Sequence, residues 1–473
     1  MALKIDVLQS YPAIDENAVD ALLSKEIEKN NKKIVVLDDD PTGVQTVHDI
    51  SVYTNWSKDS IAKGFAEKNN LFYILTNSRG FTTAETEKAH KEIAAVVDEV
   101  AKEAGKEYIF ISRSDSTLRG HYPLETIILK EAYEKNTGKK ADGEILCPFF
   151  KEGGRFTIGD VHYVKDGEDL IPAAETEFAK DKSFGYKSSN LKEYVEEKTG
   201  GAYKKENVTA ISLEDIHAVN IDKIEEQLMA VKDFNKIIVN AIDYVDVKVF
   251  CVALFRAMAK GKTFVFRTAA AIVKVMGGVT DQPLLTREQM VVKEIDNGGI
   301  VVVGSHTEKT TKQLEMLKEI SNMEFVELDA TLVRDEEAFA KEVERCLALE
   351  EKYIKAGTSV CVYTTRALIT ADTDDKEDNL RLAVKISDAV QSLVGRLSIV
   401  PSFVIAKGGI TSSDVGTKAL AVQRANVLGQ IKPGIPVWQT GEESKFPLTP
   451  YVIFPGNVGE VSTLKEAAEI LMK

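Results

Sequence analysis

One stretch near the N-terminus, Ile34-Val35-Val36-Leu37-Asp38-Asp39-Asp40-Pro41-Thr42-Gly43, joins an apolar run directly to three aspartates and a turn. Such a run predicts a strand that is buried on both faces, as in the parallel sheet of an α/β protein. Because ligands of these sheets bind beyond the carboxyl ends of the strands, the aspartates mark a candidate ligand site. A plain capping turn is the alternative, since aspartate and threonine are favoured N-cap residues.

Further strand-like runs alternate with helical patterns along the first 270 residues. One helical pattern spans 83–104, where Ile93, Val97 and Val100 recur at helical spacing. The other predicted strands of this series lie at 71–76, 108–112, 144–147, 208–212, 236–241 and 263–266. A second series follows, with strands at 300–304, 324–328, 359–363 and 402–406 and helices at 309–321 and 336–351.

This alternation predicts two Rossmann-like, three-layer α/β domains with mostly parallel sheets. We expect an N-terminal domain over 1–275, a glycine-containing linker over 276–298 and a C-terminal domain over 299–473. Residues 151–205 are weakly periodic and are predicted to be a lid or an irregular excursion from the first sheet. The active site is expected in the cleft between the two domains.

The composition and charge of the chain disfavour nucleic-acid-binding, membrane-spanning and zinc-binding proteins. The 473 residues contain 74 acidic and 60 basic side chains, so the net charge of −14 disfavours binding to nucleic acid. No apolar run is long enough to span a membrane, and residues 1–9 lack a signal-peptide pattern. The four cysteines form no C-x-x-C pair and the six histidines are scattered, so we expect reduced thiols, no zinc site and a cytoplasmic protein.

Polar residues also follow three other strands of the first series. The segment 112–122 packs two arginines, an aspartate and several hydroxyls into one loop, and a guanidinium suits a carboxylate or phosphate. Residues 76–80 and 147–155 add further hydrogen-bonding groups at two more strand ends. If these strands are neighbours, the four loops converge on one site for a small polar ligand, whereas each loop alone is consistent with an ordinary surface turn.

Three glycine turns characterise the second series. They lie at 304–307, 407–414 and 455–459, each before a predicted helix. Glycines let the backbone approach an anion, and helix N-termini present free N–H groups to it. The turns therefore suggest a site for nucleotide phosphates. Neither the Walker A spacing nor a G-x-G-x-x-G motif is present. The alternative, that these are tight strand-to-helix turns that bind no ligand, stays open.

Together these motifs resemble the four-carbon acid sugar kinase family, which joins a sugar-acid domain to a nucleotide domain. In the first half the shared strings are Asp-Asp-x-Thr-Gly, Asp-Ser-Thr-Leu-Arg-Gly, Cys-Pro-x-Phe and Gly-Arg, at 39–43, 115–120, 147–150 and 154–155. In the second half they are Gly-Ser, Gly-Gly-x-Thr-Ser and Gly-Asn-x-Gly, at 304–305, 408–412 and 456–459. Arg113 stands where many members have lysine, and Gln45 and His48 are typical of a longer subgroup.

The resemblance implies ATP-dependent phosphorylation of a hydroxyl on a small sugar acid, such as a tetronate or 3-oxo-tetronate, with Mg²⁺ between the phosphates. It implies Asp115, ahead of Asp39, as the general base. The implied substrate-binding residues are Asp40, Thr42, Gly43, Asn77, Ser78, Arg79, Arg113, Ser116, Arg119, Gly120 and Arg155. The implied ATP-binding residues are Ser305, Gly408, Gly409, Ile410, Thr411, Gly456 and Asn457. No metal ligand is assigned to the protein itself, and a homodimer is one open possibility.

Two other readings of the motifs stay open. Asp38 and Asp40 after an apolar strand also resemble the start of a haloacid-dehalogenase-type phosphatase, in which the first aspartate is the nucleophile. Two α/β lobes also describe a non-catalytic protein that binds a sugar acid. The first alternative gives no role to the glycine turns, and the second gives none to three adjacent carboxylates.

Overall fold

The computed structural model describes residues 2–367, 369, 376–456 and 458–472, without the side chains of 376–380. The strands in this part of the chain are β1 Leu3–Lys4, β2 Lys33–Asp38, β3 Ile50–Tyr53, β4 Leu71–Leu75, β5 Tyr108–Arg113, β6 Gly143–Cys147, β7 Arg155–Ile158, β8 Val161–Asp166, β9 Asp169–Pro172, β10 Thr209–Ile211, β11 Asn235–Val239, β12 Phe264–Thr268, β13 Ile300–Val303, β14 Met323–Leu328, β15 Ser359–Thr364, β16 Val404–Lys407, β17 Arg424–Lys432, β18 Ile435–Thr440 and β19 Pro450–Phe454. The α-helices are α1 Glu16–Lys29, α2 Lys58–Ala66, α3 Thr83–Ala104, α4 Leu124–Thr137, α5 Leu191–Lys198, α6 Leu213–His217, α7 Ile221–Ala230, α8 Tyr244–Ala259, α9 Ala270–Met276, α10 Arg287–Met290, α11 Glu308–Leu317, α12 Glu336–Lys355, α13 Lys376–Gly395, α14 Gly409–Asp414 and α15 Thr463–Leu471.

The chain forms two compact units, and each is an α/β structure as the sequence predicts. The first comprises the residues up to Gly43 together with 55–281, and the second comprises 44–54 together with 282–473. Residues 44–54, expected in the N-terminal domain, lie in the second unit because β3 pairs antiparallel with β17. The expected linker is not free of structure, since Leu285, Met290 and Val291 are buried in the core of the second unit.

The first unit is built on a parallel sheet with the strand order β10-β11-β6-β12-β5-β2-β4. Every residue of β2 is buried, which explains its uninterrupted apolar run. Helices α2, α3 and α4 pack together, as do α1, α7 and α8. Helix α3 begins at a capping box formed by Thr82 and Glu85 and ends at Gly105, which adopts a left-handed φ of 61°.

The excursion at 151–205 is an ordered substructure rather than an irregular loop. Strands β7, β8 and β9 form an antiparallel sheet with β1, and α5 follows. Leu191, Tyr194 and Val195 of α5 are buried in a hydrophobic cluster with Leu118 and Tyr122, which lie in the loop after β5. This shared core attaches the substructure to that loop.

The second unit has a sheet with the order β3-β17-β18-β19-β16-β13-β15-β14. The five strands from β19 to β14 are parallel, and β3, β17 and β18 add antiparallel pairs at one side. Helices α11 and α15 pack together, and α12, α13 and α14 form a second group of contacting helices. Within the described part of the chain, no helix combines the length and the apolar character needed to cross a membrane.

Candidate functional site

The strand order of the first unit brings three of the predicted polar loops side by side. Strands β5, β2 and β4 are neighbours, and Asp38 at the end of β2 is in register with Arg113 on one side and Leu75 on the other. The loops that begin at 39, 76 and 114 therefore leave the same edge of the sheet. This adjacency is what a common site for these three loops requires. The fourth predicted loop follows β6, which is not a neighbour of β5 because β12 lies between them.

The Asp39 carboxylate accepts three hydrogen bonds at this edge. Arg79 donates from Nη2 to Asp39 Oδ1 at 2.6 Å and from Nε to Oδ2 at 3.3 Å. Ser114 Oγ donates to Asp39 Oδ2 at 2.6 Å, and the side chain is only 2% exposed. Both carboxylate oxygens are thus engaged, so Asp39 holds the site together and has little surface left for a ligand.

Asp38 lies deepest in the cluster. Its Oδ1 accepts from Arg113 Nη1 at 3.1 Å, and both side chains are almost fully buried. Burial raises the pKa of Asp38 to about 7, and Arg113 opposes that rise. A Cβ on Gly43 would stand 1.9 Å from Asp38 Oδ2, so only glycine lets the turn close over this carboxyl.

Asp40 organises the turn that follows. Its Oδ1 accepts from the Thr42 amide at 2.8 Å and from Thr42 Oγ1 at 2.5 Å, while Oδ2 accepts from Arg79 Nη1 at 3.1 Å. Burial alone would raise the pKa of Asp40, yet Arg79 and the Thr42 hydrogen bonds hold that pKa below its usual value. Arg79 therefore bridges two of the three adjacent aspartates and removes their repulsion.

Asp115 is the acidic residue of the loop after β5. Arg119 Nε donates to Asp115 Oδ2 at 2.6 Å, and the Thr117 hydroxyl donates to the same oxygen. Although burial opposes it, the guanidiniums of Arg119 and Arg79 keep the pKa of Asp115 far below its usual value. Its side chain is 12% exposed, against 2% for Asp39, so Asp115 is better placed to meet a ligand.

Two arginines of the first unit share one aromatic ring. The guanidinium carbons of Arg119 and Arg155 lie 5.0 Å and 5.7 Å from the centroid of Phe178. Arg155 Nη1 donates to the Gly153 carbonyl, but its Nε is buried with no hydrogen-bond partner among the described residues. Burial lowers the pKa of Arg155. A buried guanidinium nitrogen of this kind is a candidate for binding an anion.

The remaining predicted residues of this unit occupy different depths. Ser78 is fully buried and donates to Glu125 Oε1 at 3.2 Å, so it supports the turn from within. Asn77 adopts a left-handed φ of 56°, and its Oδ1 is buried without a hydrogen-bond partner among the described residues. Ser116 is 7% exposed, and Gly120 follows in the same loop.

A cavity of about 570 Å³ opens beside these loops in the first unit. Arg79 and Gly120 of the predicted set line it, together with His121, Phe184 and Lys198. The volume accommodates a small sugar acid, and the lining combines cationic and aromatic groups. Phe184 and Lys198 were not predicted from the sequence, because only the folded chain brings 183–198 to this loop. His121 lies in the predicted loop 112–122 but was not assigned a role.

The glycine turns of the second unit also meet at one sheet edge. Strands β13, β16 and β19 are neighbours, with Val303, Lys407 and Phe454 in register. A Cβ on Gly408, whose φ is 118°, would stand 3.1 Å from Ser305 Cβ, and one on Gly456 would stand 3.9 Å from Ser305 Oγ. The three turns thus lie side by side at one sheet edge, and we call the backbone surface that they form the glycine surface.

The other predicted nucleotide-binding residues lie around this surface. Thr411 is mostly buried against Gly304, where a Cβ would stand 2.3 Å from Thr411 Oγ1. Ile410 is 75% exposed, and Gly409 begins α14. Asn457 lies outside the described residues.

Two cations beside this surface were not among the predicted residues. Lys407 is fully buried, and its ammonium donates to the Pro455 carbonyl at 2.6 Å and the Gly456 carbonyl at 3.4 Å. Burial lowers the pKa of Lys407 to about 7. Arg366 Nη2 donates to the Ser305 carbonyl at 2.6 Å, while its Nε and Nη1 are buried without partners among the described residues. The sequence did contain a signal for Lys407, since it is the one charged residue at the end of an otherwise apolar strand.

The chain matches two family models in the order that this geometry suggests. Residues 34–276 match a sugar-binding N-terminal domain, and residues 300–464 match a nucleotide-binding C-terminal domain. The chain belongs to the family with the four-carbon acid sugar kinase architecture. The resemblance drawn from the sequence motifs is thereby confirmed.

Solved structures support the fold of this family member. Protein HI1011 of Haemophilus influenzae, assigned to a domain family of unknown function, is 17% identical with a TM-score of 0.60, over 93% of this chain and all of that one. A protein of Salmonella typhimurium LT2 provisionally described as a tRNA synthase is 14% identical with a TM-score of 0.65, over 93% and 99% of the two chains. At these identities the likeness shows the fold alone. No curated protein matches the chain.

Over the described ranges, no group of three or more histidine, cysteine, aspartate or glutamate side chains is placed to hold a metal ion. The aspartates of the first unit are instead bonded to arginines and hydroxyls.

Proposed function

We propose that the protein is an ATP-dependent kinase that phosphorylates a hydroxyl of a small sugar acid of the four-carbon type. The observation that supports this most is the presence of two complementary sites on one chain. The first unit carries aspartates and arginines suited to a hydroxy acid, and the second carries a glycine surface with buried cations suited to phosphates. The sugar-binding and nucleotide-binding domain matches fit this division.

We assign the acid's carboxylate chiefly to Arg155, with Arg119, which also pairs with Asp115, beside it. Arg79 is committed to Asp39 and Asp40, and Arg113 is committed to Asp38. Arg155 faces no carboxylate within 4 Å in the described structure, and its Nε has no partner. A carboxylate beside Phe178 would supply the missing acceptor with a charge-assisted hydrogen bond.

Asp115 remains our proposed general base, with Asp39 as the second choice. Asp115 is more exposed, and its low pKa keeps it ionised throughout the neutral range. In phosphoryl transfer the base mainly orients the attacking hydroxyl, and strong basicity is not required in a loose transition state. Asp40, Thr42, Gly43 and Asn77 would contact the remaining hydroxyls, with Ser78 and Ser116 shaping the loops.

ATP would be held at the glycine surface of the second unit. The turns at Ser305, Gly408 and Gly456 would let phosphate oxygens approach the backbone closely, although the Gly408 N–H itself donates to the Phe454 carbonyl at 2.9 Å. Lys407 and Arg366 would supply positive charge. Gly409, Ile410, Thr411 and Asn457 complete the proposed set. Mg²⁺ would bind chiefly through the phosphates, as it does in sites with few protein ligands, and would neutralise charge there.

We further propose that the enzyme works in the cytoplasm. All four cysteines are buried free thiols, which suits a reducing compartment. A homodimer stays a proposal that light scattering on the purified chain would test.

The phosphatase alternative is disfavoured by the position of Asp38. A nucleophilic aspartate must reach the phosphorus atom, yet Asp38 is 1% exposed, bound to Arg113 and covered by Gly43. The non-catalytic binding protein remains the main rival.

An ATP-consumption screen tests the proposal. The purified chain is incubated with MgATP and a panel of four- and five-carbon aldonic and 3-oxo-aldonic acids, and ADP is measured. We expect one group of acids to raise ADP formation well above the background rate, and Asp115→Asn to abolish that rise. Ligand binding without ADP formation across the panel would favour the binding protein, and phosphate release from sugar phosphates without ATP would favour the phosphatase.

A further inference from the structure

The loop that carries Asp115 and Arg119 is held by an unusual set of hydrogen bonds. The carbonyl oxygens of 115, 116, 117, 118 and 119 each accept from a buried side chain elsewhere in the first unit. Loops are ordinarily satisfied by water and by their own backbone. Hydrogen bonds from side chains outside the loop to five consecutive carbonyl groups therefore fix the backbone path of this loop at each residue.

Two tyrosines hold the middle of the loop. Tyr186 donates from its hydroxyl to the Thr117 carbonyl at 2.8 Å, and Tyr194 donates to the Leu118 carbonyl at 2.8 Å. The two rings pack edge to face with centroids 5.6 Å apart. Both tyrosines are almost fully buried and belong to the substructure at 151–205.

His162 and Arg267 hold the two flanks. His162 Nε2 lies 2.7 Å from the Ser116 carbonyl, and its Nδ1 lies 3.0 Å from Thr157 Oγ1. Burial lowers the pKa of His162 to about 4, so the ring is neutral and donates from Nε2 to the carbonyl. Arg267 Nη2 donates to the Arg119 carbonyl at 2.8 Å and to the Asp115 carbonyl at 3.4 Å.

The loop needs this support because part of its backbone is strained. Leu118 adopts a φ of 70°, a left-handed conformation that is costly for a branched side chain. Its side chain is buried in the hydrophobic cluster of the substructure, and Tyr194 binds its carbonyl. Released from these contacts, the residue would return to an ordinary conformation and move Asp115 and Arg119.

We propose that the substructure at 151–205 positions the loop 114–120, which carries Asp115 and Arg119, and that Tyr186, Tyr194 and His162 are its positioning residues. They act through the loop backbone and do not themselves contact the reacting groups. Phe178 and Asp181 of the same substructure also approach the Arg119 guanidinium, at 5.0 Å from ring centroid to carbon and at 3.8 Å from oxygen to nitrogen. The effect of this loop positioning on catalysis rests on the kinase function proposed above.

The test removes the hydroxyls and keeps the rings. Tyr186→Phe, Tyr194→Phe and the double variant are compared with Tyr163→Phe, a buried tyrosine of β8 whose hydroxyl makes no described hydrogen bond to 115–119. Hydrogen exchange of the amides at 114–120 and steady-state kinetics are measured on each full-length chain. Two lost hydrogen bonds should raise loop exchange about tenfold or more in the double variant.

The same double variant should lower kcat/KM for the acid by about 10- to 100-fold while the KM for ATP stays within about twofold. The Tyr163→Phe control should match the wild-type chain in both measurements. Unchanged loop exchange would overturn the proposal, and so would faster exchange with an unchanged kcat/KM for the acid. If the double variant does not fold, the two single variants decide by the same criteria.

A failure of the kinase function gives a different result. The wild-type chain would then consume no ATP with any acid of the panel, while the exchange comparison could still be made. In that case loop exchange alone decides whether the substructure orders the loop.

Discussion

Replacing Arg155 with methionine should weaken binding of the acid and lower the free energy of unfolding only modestly. Methionine fills the space of the aliphatic stem but cannot donate a hydrogen bond. The substitution removes the hydrogen bond to the Gly153 carbonyl and the contact with Phe178, and it also removes a buried Nε that has no partner in the described structure. These effects act in opposite directions on the free energy of unfolding.

The magnitudes can be worked from these contacts. The lost hydrogen bond comes from a charged donor and contributes about 1.5–3 kcal/mol to the free energy of unfolding. The lost cation–π contact with Phe178 contributes about 0.5–2 kcal/mol. Removing the unpartnered nitrogen returns about 1–3 kcal/mol, so the midpoints of these ranges give a net loss of about 1.5 kcal/mol in the free energy of unfolding. A charge-assisted bond to the substrate carboxylate should contribute about 1.5–3 kcal/mol, which corresponds to about 10- to 150-fold in KM.

The assay measures KM for the acid and for ATP, and urea denaturation measures the free energy of unfolding. Arg256→Met is the control, because Arg256 of α8 pairs with Glu26 and Asp222 and lies outside the predicted site. We expect Arg155→Met to raise the KM for the acid at least tenfold, with the KM for ATP unchanged and the control near wild type. A KM for the acid within twofold of wild type would refute the assignment of Arg155 to the carboxylate.

Three further substitutions test other parts of the account. Asp115→Asn should lower kcat at least about a hundredfold with ATP affinity unchanged by calorimetry, because it removes the proposed base; retained turnover would exclude that role. Lys407→Met should weaken ATP binding. The ATP affinity of the wild-type chain should fall as pH rises above about 7, because the Lys407 ammonium then loses its proton, and the variant should show no such pH dependence. Gly408→Ala should weaken ATP binding about tenfold and leave acid binding intact. The reason is that an alanine would be strained at φ 118° and its Cβ would stand 3.1 Å from Ser305 Cβ. An ATP affinity equal to that of the wild-type chain would contradict the proposed nucleotide site.

Most of the parallel core could be predicted from local patterns. Strand β2 and helix α3 lie where the apolar periodicity placed them, at 33–38 and 83–104. These elements are encoded locally, because burial on one or both faces imposes a readable period on the residues. The hairpin β17–β18 was missed, although every second residue of β17 from Ala425 to Ile431 is buried, which is the alternation of a half-buried strand.

Long-range pairing explains what the sequence did not predict. Strand β3 belongs to the second unit only because it pairs with β17, some 370 residues further along the chain. The same limit applies to the site: the motifs named the aspartates and arginines, but the pairing of Arg79 with Asp39 and of Arg113 with Asp38 depends on strand register. Arg155 could be recognised as the uncommitted guanidinium only from those pairings.

The most direct test of the central claim is detection of the transferred phosphate. The full-length chain, MgATP and each acid of the panel are incubated together, and phosphorus NMR measures ADP and any new phosphate ester. We expect at least one four-carbon sugar acid to give ADP and a phosphate monoester in equal amounts, and Asp115→Asn to give neither. ADP accompanied by inorganic phosphate alone, or no ester with any acid of the panel, would contradict that claim.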